Sequence, residues 1–156
     1  MTANDITFDH TDQQISDILT TIKTIALVGA SNKEDRASYR VMRFMQEKGF
    51  RIIPVSPRLA GQTLLGETVF ESLSSIPCSV DMVDLFVNSE RVMPVIDEAI
   101  SLAPKIIWMQ IGVINQTAAN LARKKGIDVV MDRCPKKEIE RLGLFTDHTD
   151  VINTPA

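Results

Sequence analysis

At 156 residues the chain has the length of one domain with a substantial core, and 44% apolar against 24% charged residues is ordinary globular composition. A net charge of -3 argues against a dedicated nucleic-acid binder, and the two cysteines, Cys78 and Cys134, make neither a disulfide framework nor a zinc motif. No apolar run approaches the roughly 20 residues that cross a bilayer, and the polar start Met1-Thr2-Ala3-Asn4-Asp5 has no signal-peptide pattern, so a cytoplasmic protein is expected.

Residues 1–10 read as a loose tail. Thr11-Asp12-Gln13-Gln14 has the form of a capping box, and Ile15, Ile18, Leu19 and Ile22 follow at helical spacing. Thr24–Val28 is an apolar strand that ends on Gly29-Ala30-Ser31. After a polar loop, Ser38 is the expected N-cap of a helix over residues 38–48, closed by Gly49. Residues 50–55 form the second strand, stopped by Ser56-Pro57. A short turn and edge strand are expected over residues 64–70, and one helical turn over 71–76. Residues 82–87 are a third strong strand, and Asn88-Ser89 is expected to cap a helix reaching Leu102, with Pro94 in its first two turns. Strand 105–111, helix 115–125, strand 128–131 and helix 135–142 complete the order, and the chain is expected to fray from Phe145.

The strands are continuous apolar runs that alternate with helices. Such strands are covered on both faces, which predicts an α/β fold: a Rossmann-like, doubly wound, mainly parallel sheet over residues 11–144, between tails 1–10 and 145–156. Ligands of such sheets bind beyond the carboxyl ends of the strands. The site is therefore expected among residues 29–38, 56–58, 87–89, 110–112 and 132–134.

An NAD enzyme would carry three spaced glycines after the first strand and an acid at the end of the second. Here Gly29 stands nearly alone, and Ser56-Pro57-Arg58 replaces the acid. Arg58 suits a phosphorylated ribose, as in NADP or coenzyme A, although on the residue alone a solvated loop charge reads equally well.

Val28-Gly29-Ala30-Ser31, Ser38-Tyr39-Arg40-Val41-Met42, Ile53-Pro54-Val55-Ser56-Pro57, Leu65-Gly66-Glu67, Trp108-Met109-Gln110-Ile111-Gly112 and Asp132-Arg133-Cys134-Pro135 resemble the CoA-binding domain family, in particular its small stand-alone, YccU-like bacterial members. The likeness runs from about Ile15 to Leu144. More distantly the chain is similar to the N-terminal CoA-binding domain of the succinyl-CoA synthetase alpha subunit. The resemblance implies a Rossmann-like fold with CoA or an acyl-CoA along the strand ends. It implies that Gly29, Ala30 and Ser31 meet the phosphates with Arg36 and Ser38. Val55, Ser56, Pro57 and Arg58 would hold the adenosine end, and Asn88, Gln110 and Gly112 would border the pantetheine path. Close relatives often carry an arginine where this chain has Val87, which leaves ligand contact there open.

Little in the chain reads as catalytic. His10 and His148 lie in the expected tails and are read as solvated. Cys134, beside Arg133, is the best nucleophile candidate, but a buried packing role fits it better, and no histidine stands near it in sequence. Asp81 and Asp84 are placed near strand starts and read as structural or solvated; Asp132 and Glu138 are read as charge partners of Arg133, and Trp108 as core. The expected function is a non-catalytic module or regulator that binds a CoA thioester, with a partner enzyme or homo-oligomer and without nucleic acid, membrane or metal. The alternatives are an NADP-dependent oxidoreductase and an acyl-transfer enzyme using Cys134.

Overall fold

Thr11 opens the first helix with a complete capping box: its hydroxyl accepts from the Gln14 N–H at 3.1 Å, and the Gln14 side chain accepts from the Thr11 N–H at 2.8 Å. From that start, the computed structural model, which describes residues 9–145, follows the expected alternation. The elements are α1 (Asp12–Thr21), β1 (Thr24–Val28), α2 (Ala37–Glu47), β2 (Arg51–Val55), β3 (Thr63–Leu64), β4 (Glu67–Thr68), β5 (Met82–Leu85), α3 (Val92–Ser101), β6 (Ile106–Met109), α4 (Gln116–Lys124), β7 (Asp128–Val130) and α5 (Pro135–Leu142).

Five strands form one parallel sheet in the order β2-β1-β5-β6-β7. The chain winds outward from β1 to β2, then returns to β5 on the other side of β1. Strand order therefore reverses between β1 and β5, the place where a doubly wound sheet opens a crevice at its carboxyl edge. Side chains alternate between two cores. Ile25, Leu27, Ile52, Met82 and Trp108 face α1, α2 and α5, whereas Ala26, Val28, Ile53, Val83 and Met109 face α3 and α4. Burial on both faces explains why the strands are apolar throughout. Pro54 fits in β2 because that strand is an edge, where a missing N–H costs no ladder bond.

Several boundaries differ from expectation. Helix α2 starts at Ala37 with Arg36 in the N-cap position, so Ser38 is not the cap but a buried first-turn residue. β5 and β6 end at Leu85 and Met109 because the N–H groups of Phe86 and Gln110 donate the last sheet bonds, to Val28 and Leu85, and the chain then turns away. The 64–70 stretch is a hairpin, β3–β4, turned through Leu65 and Gly66, both at positive φ. Phe70 then bridges to Val55 and prolongs the sheet edge. The turn expected over 71–76 is a 3₁₀ turn at Leu73–Ser75. A second 3₁₀ turn at Ser89–Arg91 precedes α3, which makes Pro94 the third residue of that helix.

The described ends are anchored. His10 has a side chain only 8% exposed and sits 3.0 Å from Asp128, so it is not solvated. Burial of Asp128 opposes ionisation, but the His10 contact, the Val129 N–H and the Arg123 charge together outweigh it and hold the carboxyl below the usual range. Phe145 packs edge-on to Phe50 with ring centroids 5.4 Å apart and is not frayed. His148 lies outside the described residues.

Candidate functional site

The crevice at the β1/β5 reversal is built from three chain turns. The first follows β1. Gly29 has φ +92°, and a β-carbon there would stand on the Phe86 carbonyl oxygen. Only glycine lets the loop after β1 pass this close to the end of β5. The N–H groups of Gly29 and Ala30 both donate to the Val55 carbonyl, at 3.1 and 3.2 Å. They are thus committed to holding the loop against β2, and the open donors lie further on.

Those donors are at the start of α2. Arg36 supplies no side-chain cap, and no described group accepts from the N–H groups of Ala37, Ser38 and Tyr39. Orphan N–H groups and the positive end of the helix dipole suit an anion. The helix is left uncapped where it opens into a groove of about 720 Å³, within the roughly 300–1,000 Å³ range of ligand pockets.

The groove is strongly cationic for a protein of net charge -3. Lys33, Arg36, Arg58 and Arg91 line it, and its described lining contains no carboxylate. None of the four forms an ion pair among the described residues, in contrast to Arg133 and Arg141, which pair with Glu138 at 2.9 and 2.8 Å. Ser38 and Ser56 also line the groove. Each is 6% exposed, and neither hydroxyl has a partner among the described residues. Both hydroxyls are therefore open to a hydrogen bond from whatever occupies the groove.

A second chamber of about 770 Å³ adjoins this groove. The two share Ala37, Phe86, Val87 and Asn88 as a common wall. Gln110, Gly112 and Cys134 lie in the second chamber, with Arg40, Lys136 and Lys137 around it. Ser89 fixes its far side: its hydroxyl donates to the Gly112 carbonyl at 3.2 Å and accepts from the Ile114 N–H at 3.0 Å. Asp132, at φ +61°, accepts from the Gly112 N–H at 2.7 Å, while Trp108 Nε1 donates to the Arg133 carbonyl at 2.7 Å. Arg133 pairs with Glu138 and, at 3.3 Å, with Asp9, whereas Asp132 serves the Gly112 loop.

The fold gathers most of the residues singled out from sequence. Gly29, Ala30, Ser31, Arg36, Ser38, Ser56, Pro57 and Arg58 line the cationic groove, Gln110 and Gly112 line the chamber, and Asn88 lines both. Val55 lines neither and contributes its backbone carbonyl to the Gly29 loop. Lys33 lies within the expected 29–38 stretch, whereas Arg91 joins the site unforeseen. The signal for Arg91 was available, since it follows the end of the third strong strand by one turn. Val87 lines both cavities.

Two acidic residues divide cleanly. Asp81 is structural, accepting from the N–H groups of Lys23 and Thr24 at 2.8 and 3.1 Å. Asp84 is not at a strand start but inside β5 and 2% exposed. Burial pushes its carboxyl up to about 7, partly offset by the Gln110 hydrogen bond. Cys134 is 5% exposed, and its thiol is raised, first by burial and further by the charge of Asp84. A raised thiol holds little thiolate and is a poor nucleophile. Among the described residues no three His, Cys, Asp or Glu side chains are grouped to hold a metal, and no helix is long and apolar enough to cross a membrane.

Comparison with known proteins adds identity to this geometry. A family model described as CoA binding domain matches residues 23–140. The uncharacterized protein YneT of Bacillus subtilis (strain 168) is 37% identical over 123 residues, covering 79% of this chain and 90% of YneT. A solved structure of a hypothetical protein from Pyrococcus horikoshii OT3 is 37% identical with a TM-score of 0.82, over 87% of this chain and 94% of that one. A dinucleotide-forming acetyl-coenzyme A synthetase from Ca. Korarchaeum cryptofilum, solved with phosphate and ADP, shares the fold at 22% identity and a TM-score of 0.62. It matches 73% of this chain and 27% of its own.

Proposed function

That the chain belongs to the CoA binding domain family is the premise from which we propose its role: it holds coenzyme A or an acyl-CoA as a binding module, not as the enzyme that transforms it. The ADP part of the ligand lies in the cationic groove. Its diphosphate faces Ser31, Arg36, Ser38 and the uncapped start of α2; the adenosine rests on Ser56 and Pro57, and Arg58 takes the ribose phosphate. The pantetheine arm passes Asn88 on the shared wall and enters the second chamber beside Gln110 and Gly112. Gly29, Ala30 and Val55 act by fixing the loop, since their backbone groups already bond one another.

The observation that carries this reading is the groove lined by Lys33, Arg36, Arg58 and Arg91, with no described carboxylate, at the start of an uncapped helix. A ligand with three phosphates meets that charge better than one with a single phosphate. Arg91 offers a cation close to the place where relatives often carry an arginine and this chain has Val87. The module reading is supported by the buried, raised Cys134 thiol, which is poorly suited to attack a thioester. The test is thermal denaturation with CoA, acetyl-CoA, a longer acyl-CoA and NADP. We expect the CoA compounds to raise the melting temperature more than NADP; no shift with any CoA compound overturns the reading.

A further inference from the structure

Asp84 occupies the middle of β5 on the face otherwise filled by Ile25, Leu27, Met82 and Trp108. An aliphatic side chain would pack there without the cost of burying a carboxyl. Its only described hydrogen-bond partner is Gln110, whose Nε2 donates to Oδ1 at 3.0 Å and to Oδ2 at 3.1 Å. Gln110 is 5% exposed and lines the second chamber. An ionised carboxylate can only accept. The NH₂ end of the Gln110 amide must therefore face Asp84, which turns the oxygen Oε1 to the opposite side. Among the described residues nothing donates to that oxygen. An acceptor with no protein donor, on a residue that lines a cavity, is an open hydrogen-bond position.

We propose that Asp84 is a positioning residue: it fixes the Gln110 carboxamide so that one acceptor faces the second chamber and takes an amide N–H of the pantetheine arm of a CoA thioester. This rests on the CoA reading above and adds a source of selectivity to it. Adenine dinucleotides have no pantetheine arm to reach this acceptor, and they leave it unpaired. The chamber's other charged and titratable groups are Arg40 on α2, Glu90 in the 3₁₀ turn, and Lys136, Lys137 and Cys134 at the start of α5. Of these, the Cys134 thiol responds to the charge on Asp84.

The experiment compares binding of CoA with binding of adenosine 3′,5′-bisphosphate, a fragment that keeps the ribose phosphate and lacks the arm. An asparagine at position 84 can either accept from Gln110 or donate to it, so the amide is no longer held one way. We expect Asp84→Asn to bind CoA about five- to tenfold more weakly near pH 8, the scale of one hydrogen bond, with the fragment unaffected. Gln110→Met should reproduce that loss. In the native chain, acidification to about pH 6 should weaken CoA binding relative to the fragment, and this relative change should vanish in Asp84→Asn. The pH comparison and Gln110→Met decide the matter even if Asp84→Asn does not fold. Equal losses for both ligands, or unchanged CoA affinity in the variants, overturn the positioning role while leaving fragment binding as support for the CoA site. A native chain that binds neither ligand removes the CoA reading and this inference together.

Discussion

Gly29 and Phe86 approach so closely that a β-carbon on Gly29 would clash with the Phe86 carbonyl oxygen. The contact ties the end of β1 to the end of β5, where strand order reverses, and so shapes the common floor of both cavities. Gly29→Ala meets backbone that cannot move aside and must also hold φ at +92°. The expected loss is roughly 3 kcal/mol, from strained backbone and overpacking together. Gly49→Ala is the control: φ is +99°, but nothing lies within 4 Å of the added carbon. It should lose only about 1 kcal/mol. Denaturant midpoints measure both, and equal losses would show that the Phe86 contact is unimportant.

Arg58→Glu should weaken CoA about tenfold and dephospho-CoA much less, because the substitution opposes the ribose phosphate that only CoA carries. The ratio of the two dissociation constants is the readout. Parallel losses would place Arg58 elsewhere on the ligand.

Arg91→Ala tests the cation that the sequence reading overlooked. Arg91 is exposed and unpaired on the groove wall, so its attraction for phosphate is screened by salt. CoA affinity should fall several-fold at low ionic strength, and the difference from the native chain should shrink toward nothing near 1 M salt. A loss that persists in high salt would mean that Arg91 packs against the ligand and does not act by charge.

Asp84 links stability to pH. Burial raises its carboxyl to about 7 from an ordinary value of 3.8. Between those values the folded chain keeps a proton that the unfolded chain releases, so Asp84 favours folding most below 3.8 and loses that contribution as pH rises through 7. Asn carries no charge at either pH. Asp84→Asn should therefore gain stability relative to the native chain by ~2 kcal/mol between about pH 5 and pH 8. Asp12 is lowered chiefly by its hydrogen bond to Arg141, and Asp128 is lowered as well, so their linkage falls at more acid pH. A stability difference constant with pH would show that Asp84 ionises normally.

The periodic features of the fold were legible because each has a local cause. The Thr11 capping box, the apolar strands and the Pro135 start of α5 lie where their sequence signals put them. Local rules misplaced Ser38, because Arg36 takes the N-cap position and the Ser38 side chain is buried facing the groove. They also misread Asp84, since a lone acid inside an apolar run looks like a strand boundary until Gln110, 26 residues away, is seen beside it. His10 was missed for the same reason: its partner Asp128 is 118 residues distant. That the Gly29 and Ala30 N–H groups donate to Val55, on a neighbouring strand, was equally invisible to local rules, and it leaves the open donors at the start of α2.

The central claim, that the paired cavities hold coenzyme A, is tested most directly by titration calorimetry of the purified chain with CoA. The account predicts saturable binding of one CoA per chain, with weaker binding of dephospho-CoA and NADP. No heat of binding with CoA, or tighter binding of NADP, would contradict it.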